Sequence, residues 1–337
     1  MKKLLQYSSF IILFMLTAVA LPGEVWAQLT DTTGVSEGLR GAPRAYNYDA
    51  RTTALGDATV ADPTYLTGFN MNPATLSFVR DADVVQLNSY HAWNNNLMEQ
   101  SITLPAIRYR NHRMAAQFGV IHNGINSLNY RGESQVPEPN LNGAHMDLAY
   151  AISYENVLSF GILNSFRYAQ NSNNNDGRWS YFASLGVLYA PSESVSYGVA
   201  FRGLGHSPVY QLAEAGQLGN SGETILADQN LRESLELGAT LKFPVDTDHN
   251  YLALSLANEK RFGEDGIWYK IGFEFYVVPA LALRSGLLFQ PDRDLYTPRF
   301  GLGLDVDILK IDYSVSYKDQ IFEHFHQLGL TIYFDRL

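Results

Sequence analysis

The sequence predicts an all-β fold: an antiparallel transmembrane β-barrel of about fourteen strands, preceded by a short N-terminal periplasmic or hatch segment. Three observations predict it. Segments of alternating polarity, each roughly nine to twelve residues long, fill the chain from 84 to 334. The connections between them alternate between long and short. Aromatic residues and glycine are abundant (21 Tyr, 18 Phe and 27 Gly), and no apolar run after the extreme N-terminus is long enough to cross a bilayer as a helix.

The alternation is clearest in Leu309-Lys310-Ile311-Asp312-Tyr313-Ser314-Val315-Ser316-Tyr317, whose odd positions are apolar or aromatic and whose even positions are polar. A period of two puts the two sets on opposite faces of one strand. Residues 231–243 repeat the pattern, with Leu235, Leu237, Ala239 and Leu241 opposing Arg232, Glu236, Gly238 and Lys242. Ile271, Phe273 and Phe275 oppose Lys270, Gly272 and Glu274 in the same way. Strands are expected near 84–92, 97–108, 112–122, 146–154, 157–169, 179–190, 194–203, 231–243, 249–258, 266–277, 281–289, 299–306, 308–317 and 323–334.

An amphipathic strand also suits a soluble sandwich, so the connections carry more weight. Segments 123–145, 170–178, 204–230, 259–265 and 290–298 are long. Between them fall Glu155-Asn156, Pro191 to Glu193, Val278-Pro279-Ala280 and a tight bend at Asp307, with 244–248 the longest of the short set. Membrane barrels sort their connections in this way, long outside and short in the periplasm. An even strand count then returns both barrel ends to the periplasm.

The N-terminus reads as an export signal over 1–27. Lys2 and Lys3 precede an apolar run over 10–21, and Val25-Trp26-Ala27 predicts cleavage after Ala27. Gln28 rather than cysteine follows, which excludes a lipoprotein. With no cysteine anywhere, the exported chain holds together by pairing and packing alone. The net charge of −10 argues against nucleic acid as a partner. The division expected is 1–27 signal, 28–80 periplasmic or lumen-plugging segment, and 81–334 barrel.

A charge facing hydrocarbon costs about 2–4 kcal/mol at mid-depth, so the apolar faces must meet outer-membrane lipid. Arg167, Arg202, Arg232, Glu236, Lys270, Glu274, Arg284, Asp305, Lys310 and Asp312 then enter the lumen, where they brace it or serve a ligand. Tyr154, Tyr168, Trp179, Tyr189, Trp268, Tyr317 and Tyr333 are expected in interfacial girdles.

The last strand, Gln327-Leu328-Gly329-Leu330-Thr331-Ile332-Tyr333-Phe334, resembles the signal by which barrel-assembly machinery recognises its clients. Gln327, Gly329, Ile332 and Phe334 carry that resemblance, although Asp335-Arg336-Leu337 follow where many clients stop. Residues 28–80 do not alternate. They contain Ala54-Leu55-Gly56-Asp57-Ala58 and, further on, Asn72-Pro73-Ala74-Thr75-Leu76. This pair resembles the opening of the barrel family related to the FadL long-chain fatty-acid transporters, and in particular its PorV/PorQ-type branch. Asp57-Ala58 and Thr75 depart from the glycines common there. Physically, Gly56 suits a tight bend or close approach, and Pro73 drives Asn72 to an extended conformation from which it can bond nearby amides. Leu55, Gly56, Asn72, Pro73 and Ala74 are therefore the candidate hatch residues.

The resemblance implies an accessory of type IX protein secretion, with secretion components as partners docking on the long outer loops. Alternatively it implies a FadL-like passage for hydrophobic molecules with a lipidic ligand. Nothing indicates an enzyme, a cofactor or a metal. The eight histidines are scattered, and Ser314 and Ser316 lie on the face opposite His324 and His326, which frustrates a nucleophile–base pair.

Overall fold

The computed structural model describes residues 49–79, 83–92, 97–123, 141–171, 176–206, 233–244, 251–262, 265–293, 295–318 and 323–334. The expected signal peptide, most of the two longest outer loops, and Arg232 lie outside the described residues. The wall comprises β1 (Val84–Ala92), β2 (Leu97–Thr103), β3 (Ile107–Tyr109), β4 (His112–Asn123), β5 (Leu141–Tyr154), β6 (Leu158–Asn171), β7 (Asp176–Ser192) and β8 (Val195–His206). It continues through β9 (Ser234–Pro244), β10 (Tyr251–Arg261), β11 (Trp268–Val278), β12 (Leu281–Gln290), β13 (Leu295–Val306), β14 (Leu309–Lys318) and β15 (Glu323–Tyr333).

Every pairing is antiparallel, and β1 bonds β2 on one side and β15 on the other, with Val84 opposite Tyr333. Because β2 and β3 both pair with β4, they are two pieces of one wall strand, and fourteen strands close the barrel. The chain enters at Val84 and leaves after Tyr333 at one end, which is also the end of the short turns. Glu155, Asn156 and Asp307 take left-handed conformations in those turns, and Asn and Asp tolerate that region better than most residues.

The single strand expected over 97–108 is interrupted at Leu104-Pro105-Ala106. Proline has no N–H for the ladder. Between the pairs Thr103↔Gln117 and Ile107↔Met114, four residue steps on this strand oppose three on β4. A second bulge lies in β8, where Gly203 adopts φ 81° and the register with β7 shifts.

Outer strand ends run past the expected limits. β5 begins at Leu141 rather than 146, and β7 is 17 residues long. A ladder needs only backbone groups, so pairing continues where the polarity pattern has stopped.

The alternation sorts the faces. Phe273, Leu302 and Leu328 are about half exposed on the outside, where hydrocarbon covers them, whereas Glu236, Lys270, Glu274, Arg284 and Asp312 are buried inside. Two aromatic residues expected in girdles are internal. Trp268 shares the parity of Lys270 and lies under the Arg261 guanidinium, 4.7 Å from its ring centre. Tyr333 joins an internal apolar cluster with Val84.

Residues 49–79 occupy the lumen. Asp49 caps α1 (Ala50–Ala54), its Oδ1 accepting from the Thr52 amide at 2.7 Å. Two 3-10 turns follow, Leu66–Asn70 and Pro73–Phe78. Asn72 is extended, as a residue before proline must be, and its Oδ1 caps the second turn by accepting from Ala74 N at 3.0 Å. α1 packs on β12 to β15, and the second turn on β4 to β7, so this inner segment crosses the barrel from one wall to the other.

Candidate functional site

The seat of the inner segment is a belt of glycines on the lumen face. Gly161, Gly186, Gly198, Gly238, Gly272, Gly286 and Gly301 stand on β6, β7, β8, β9, β11, β12 and β13, and three cross-strand pairs among them are directly opposed: Gly161↔Gly186, Gly198↔Gly238 and Gly272↔Gly286. Each marks a place where segment backbone or a side chain touches the wall. A methyl on Gly286 would lie 2.5 Å from Leu55 C and 2.7 Å from Ala54 O. One on Gly161 would lie 2.6 Å from Pro73 O, and one on Gly198 would lie 2.8 Å from Ala61 Cα. Such distances leave no room for a side chain.

The sequence-derived residues fall on this belt. Leu55 and Gly56 rest over Gly272 and Gly286, and Gly56 takes φ 64° where the chain bends against β12. Asn72, Pro73 and Ala74 rest over Gly161 and Gly186. Asn72 also donates from Nδ2 to the carbonyls of Val60 at 2.8 Å and Val187 at 3.0 Å, tying both halves of the segment to β7.

Toward the end with the short turns, an ion network joins segment to wall. Arg51 forks onto Glu274, with Nε–Oε1 at 2.9 Å and Nη2–Oε2 at 2.6 Å, and also reaches Asp62 at 2.6 Å. Arg284 bridges Glu274 and Asp312, both at 2.7 Å. Lys242 lies 3.5 Å from Asp62 and donates to Thr64 Oγ1 at 2.7 Å. Both Arg51, at 4.4 Å, and Lys310, at 4.3 Å, lie over the Tyr65 ring. Burial works against the Asp62 carboxylate, but Arg51 and then Lys242 outweigh it and hold this carboxyl well below the usual range. Removing one partner from so enclosed a network costs about 3–5 kcal/mol, because a buried charge is left behind.

A second network lies toward the outer end and belongs to the wall. Arg202, placed just before the β8 bulge, pairs with Glu236 and, at 3.0 Å, with Glu259. Lys270 reaches both carboxylates at 3.0 Å. The inner segment touches this network through Met71, whose Sδ is 3.6 Å from Arg202 Nη1.

The opposite side of the lumen carries an apolar seam. Leu66, Phe69, Leu76 and Val79 of the inner segment meet Val84, Ala106, Ala115, Ala149, Ala151, Leu163 and Tyr333 of the wall. Small wall side chains face large ones on the segment, and among the described residues no ion pair crosses this seam.

Of the lumen charges named from sequence, Asp312, Arg284 and Glu274 form a chain that Glu274 joins to Arg51, and Glu236 and Lys270 belong to the outer network. At the C-terminal strand, Gln327 accepts from Thr53 Oγ1 at 2.6 Å, and Gly329 faces Ala50. Ile332 pairs with Val85 and Leu309, and Phe334 is exposed. Sequence reading missed Arg51, Asp62 and the glycine belt. A signal existed for each: Arg51 is the one Lys or Arg between 45 and 79, Asp62 is one of three acidic residues near it, and the glycines all share the parity of the lumen set.

No known family profile matches this sequence, and no curated protein matches it either. Solved structures do. The Pseudomonas putida toluene transporter TodX superposes with a TM-score of 0.57 at 12% identity, over 85% of this chain and 96% of its own. The Ralstonia pickettii toluene transporter TbuX gives 0.57 at 12% identity, over 86% and 98%. The monoaromatic hydrocarbon channel CymD gives 0.55 at 12%, over 84% and 96%. Likeness at such low identity reports the fold alone, and the fold shared with these channels is a closed antiparallel outer-membrane β-barrel.

Proposed function

We propose that this barrel passes hydrophobic small molecules across the outer membrane, with residues 49–79 acting as the hatch. The observation that carries the reading is the apolar seam. Along β4 to β6 the hatch is held by contacts between Leu66, Phe69 or Leu76 and a wall of alanines. Parting these surfaces exposes a greasy track, whereas the opposite side is pinned by the Arg51 network. The neighbours in fold are named for toluene and monoaromatic hydrocarbons, and ligands of this class suit a track lined by Ala, Leu and Phe. The export signal ending at Ala27 and the C-terminal strand ending at Phe334 would deliver the chain to the membrane and to its assembly machinery.

Flux of a monoaromatic hydrocarbon and of a long-chain fatty acid into vesicles carrying the purified barrel tests the reading. Passage of either should exceed that of empty vesicles and should rise when residues 28–80 are deleted. No binding of either solute, together with unchanged flux, would sink it. The type IX accessory role rests on the sequence resemblance and on outer loops that lie outside the described residues. No structural feature favours it over passage; normal secretion after gene deletion would exclude it.

A further inference from the structure

A third polar cluster sits in the wall above the apolar seam and belongs to neither ion network. His145 of β5 lies between Glu99 of β2 and Asp147 of its own strand, with Nδ1 3.5 Å from Glu99 Oε1 and Nε2 3.6 Å from Asp147 Oδ2. Its imidazole occupies the space left by Gly119, the residue directly opposite on β4, where any side chain would collide with the ring. All three residues are at least nine-tenths buried. Both ring nitrogens, Glu99 Oε1 and Asp147 Oδ1 lack a hydrogen-bond partner among the described residues.

The chemistry of the arrangement is specific. A neutral imidazole carries one N–H and one lone pair, so it can donate to one of these carboxylates while its bare nitrogen faces the other. An imidazolium donates to both. Among the described residues Arg167 of β6, stacked 4.9 Å over Phe182, supplies the remaining charge on this side; β4 contributes Gly119 and Gln117, neither of which titrates, and β1 places the phenol of Tyr90 opposite Glu99. With His145 protonated, two cations face two anions. Without that proton a net negative charge stays buried, which is costly unless water enters.

The cluster reaches the hatch directly. Asp147 and Asn70 line one small cavity of about 10 Å3, room for one water. Gln117, opposite Asp147, accepts from Asn70 Nδ2 at 2.8 Å and donates to Ser101 at 3.0 Å.

We propose that Glu99, His145 and Asp147 form a one-proton site whose occupation sets how tightly residues 63–79 are held against the wall. Uptake of the proton draws both carboxylates onto His145 and keeps the cavity beside Asn70 closed. Its release hydrates the cavity and loosens the Asn70 end of the seam. The half of the hatch around α1, held by Arg51, does not respond.

Backbone hydrogen exchange on the assembled barrel between pH 5 and pH 9, corrected for intrinsic rates, tests this. Residues 63–79 should open about tenfold more often on the alkaline side of one titration step, the factor that corresponds to one unit of differential proton affinity. Residues 50–54 should show no step over that range. H145Q and D147N should each flatten it. A wild-type profile without the step, or a step that survives in H145Q, overturns the proposal. If H145Q does not assemble, the near-isosteric D147N decides by the same rule. The readout is independent of any solute, so its failure leaves the passage reading standing, and the reverse also holds.

Discussion

Replacing Gly286 by valine should lift the hatch from its seat while leaving the barrel intact. The added Cβ would sit 2.5 Å from Leu55 C, where ordinary contact begins near 3.4 Å, so the backbone at Leu55 must retreat by at least about 0.9 Å. The wall cannot give instead, because Gly286 is laddered to Gly272 on one side and Arg299 on the other. A rigid shift of that size takes the Arg51 Nε–Glu274 contact from 2.9 Å to about 3.8 Å, beyond hydrogen-bond range. Overpacking costs about 1–3 kcal/mol, and a weakened charge-assisted bond costs about 1.5–3 kcal/mol more. Together these cut hatch protection by at least about fiftyfold. Hydrogen exchange over residues 50–62 reads that change, and single-channel recording reads the accompanying rise in conductance. Leu283→Val, on the lipid face of the same strand, is the control and should alter neither. If G286V protects residues 50–62 as well as the parent does, the glycine belt is not the seat.

Arg51→Met leaves Asp62 and Glu274 short of a cation and should weaken hatch docking by about 3–5 kcal/mol. The double variant R51M/E274M should recover part of that loss in a double-mutant cycle measured by the same exchange. Because the Asp62 carboxyl is held below its usual range, its contribution is fully present above about pH 4 and disappears only as pH falls through the lowered value. Protection of α1 should therefore stay flat from pH 7 to pH 4 and fall in stronger acid, and D62N should reduce the fall, the remainder coming from the other carboxylate on Arg51. Phe273→Arg places a charge on the lipid face and should lower barrel stability by about 2–4 kcal/mol in a urea titration, an effect that would vanish if Phe273 faced inward.

The wall was legible because period two is a strong signal. Leu309 to Tyr317 assigns each of its side chains to a face, and the structure buries Asp312 and Ser314 and exposes Ile311 and Tyr313 as that pattern requires. Partner choice was not legible. Arg284 could have paired along its own strand or with either neighbour, and register alone puts it between Glu274 and Asp312. Trp268 and Tyr333 were misplaced because aromatic character was weighed above parity. The belt escaped notice since a missing side chain reads as weakness in a single strand. Only the register between strands turns Gly161, Gly186, Gly198 and Gly238 into one continuous surface.

The strands of this barrel are unequal in height. β7 has 17 residues and β12 has 10; at about 3.3 Å per residue and a tilt of about 40°, they rise about 43 Å and about 25 Å. The apolar band is about 25 Å tall, so β12 matches it while β7 is about 18 Å taller, with the 14-residue β6 beside it and the 14-residue β5 next in the wall. Among the described residues the outer edge is therefore a half-collar rather than a rim. A molecule diffusing laterally among the outer-leaflet lipids is blocked on the β5 to β7 side and has a low sill on the β11 and β12 side. Antibodies, phage and hydrophobic solutes approaching this protein encounter a molecule with a front and a back.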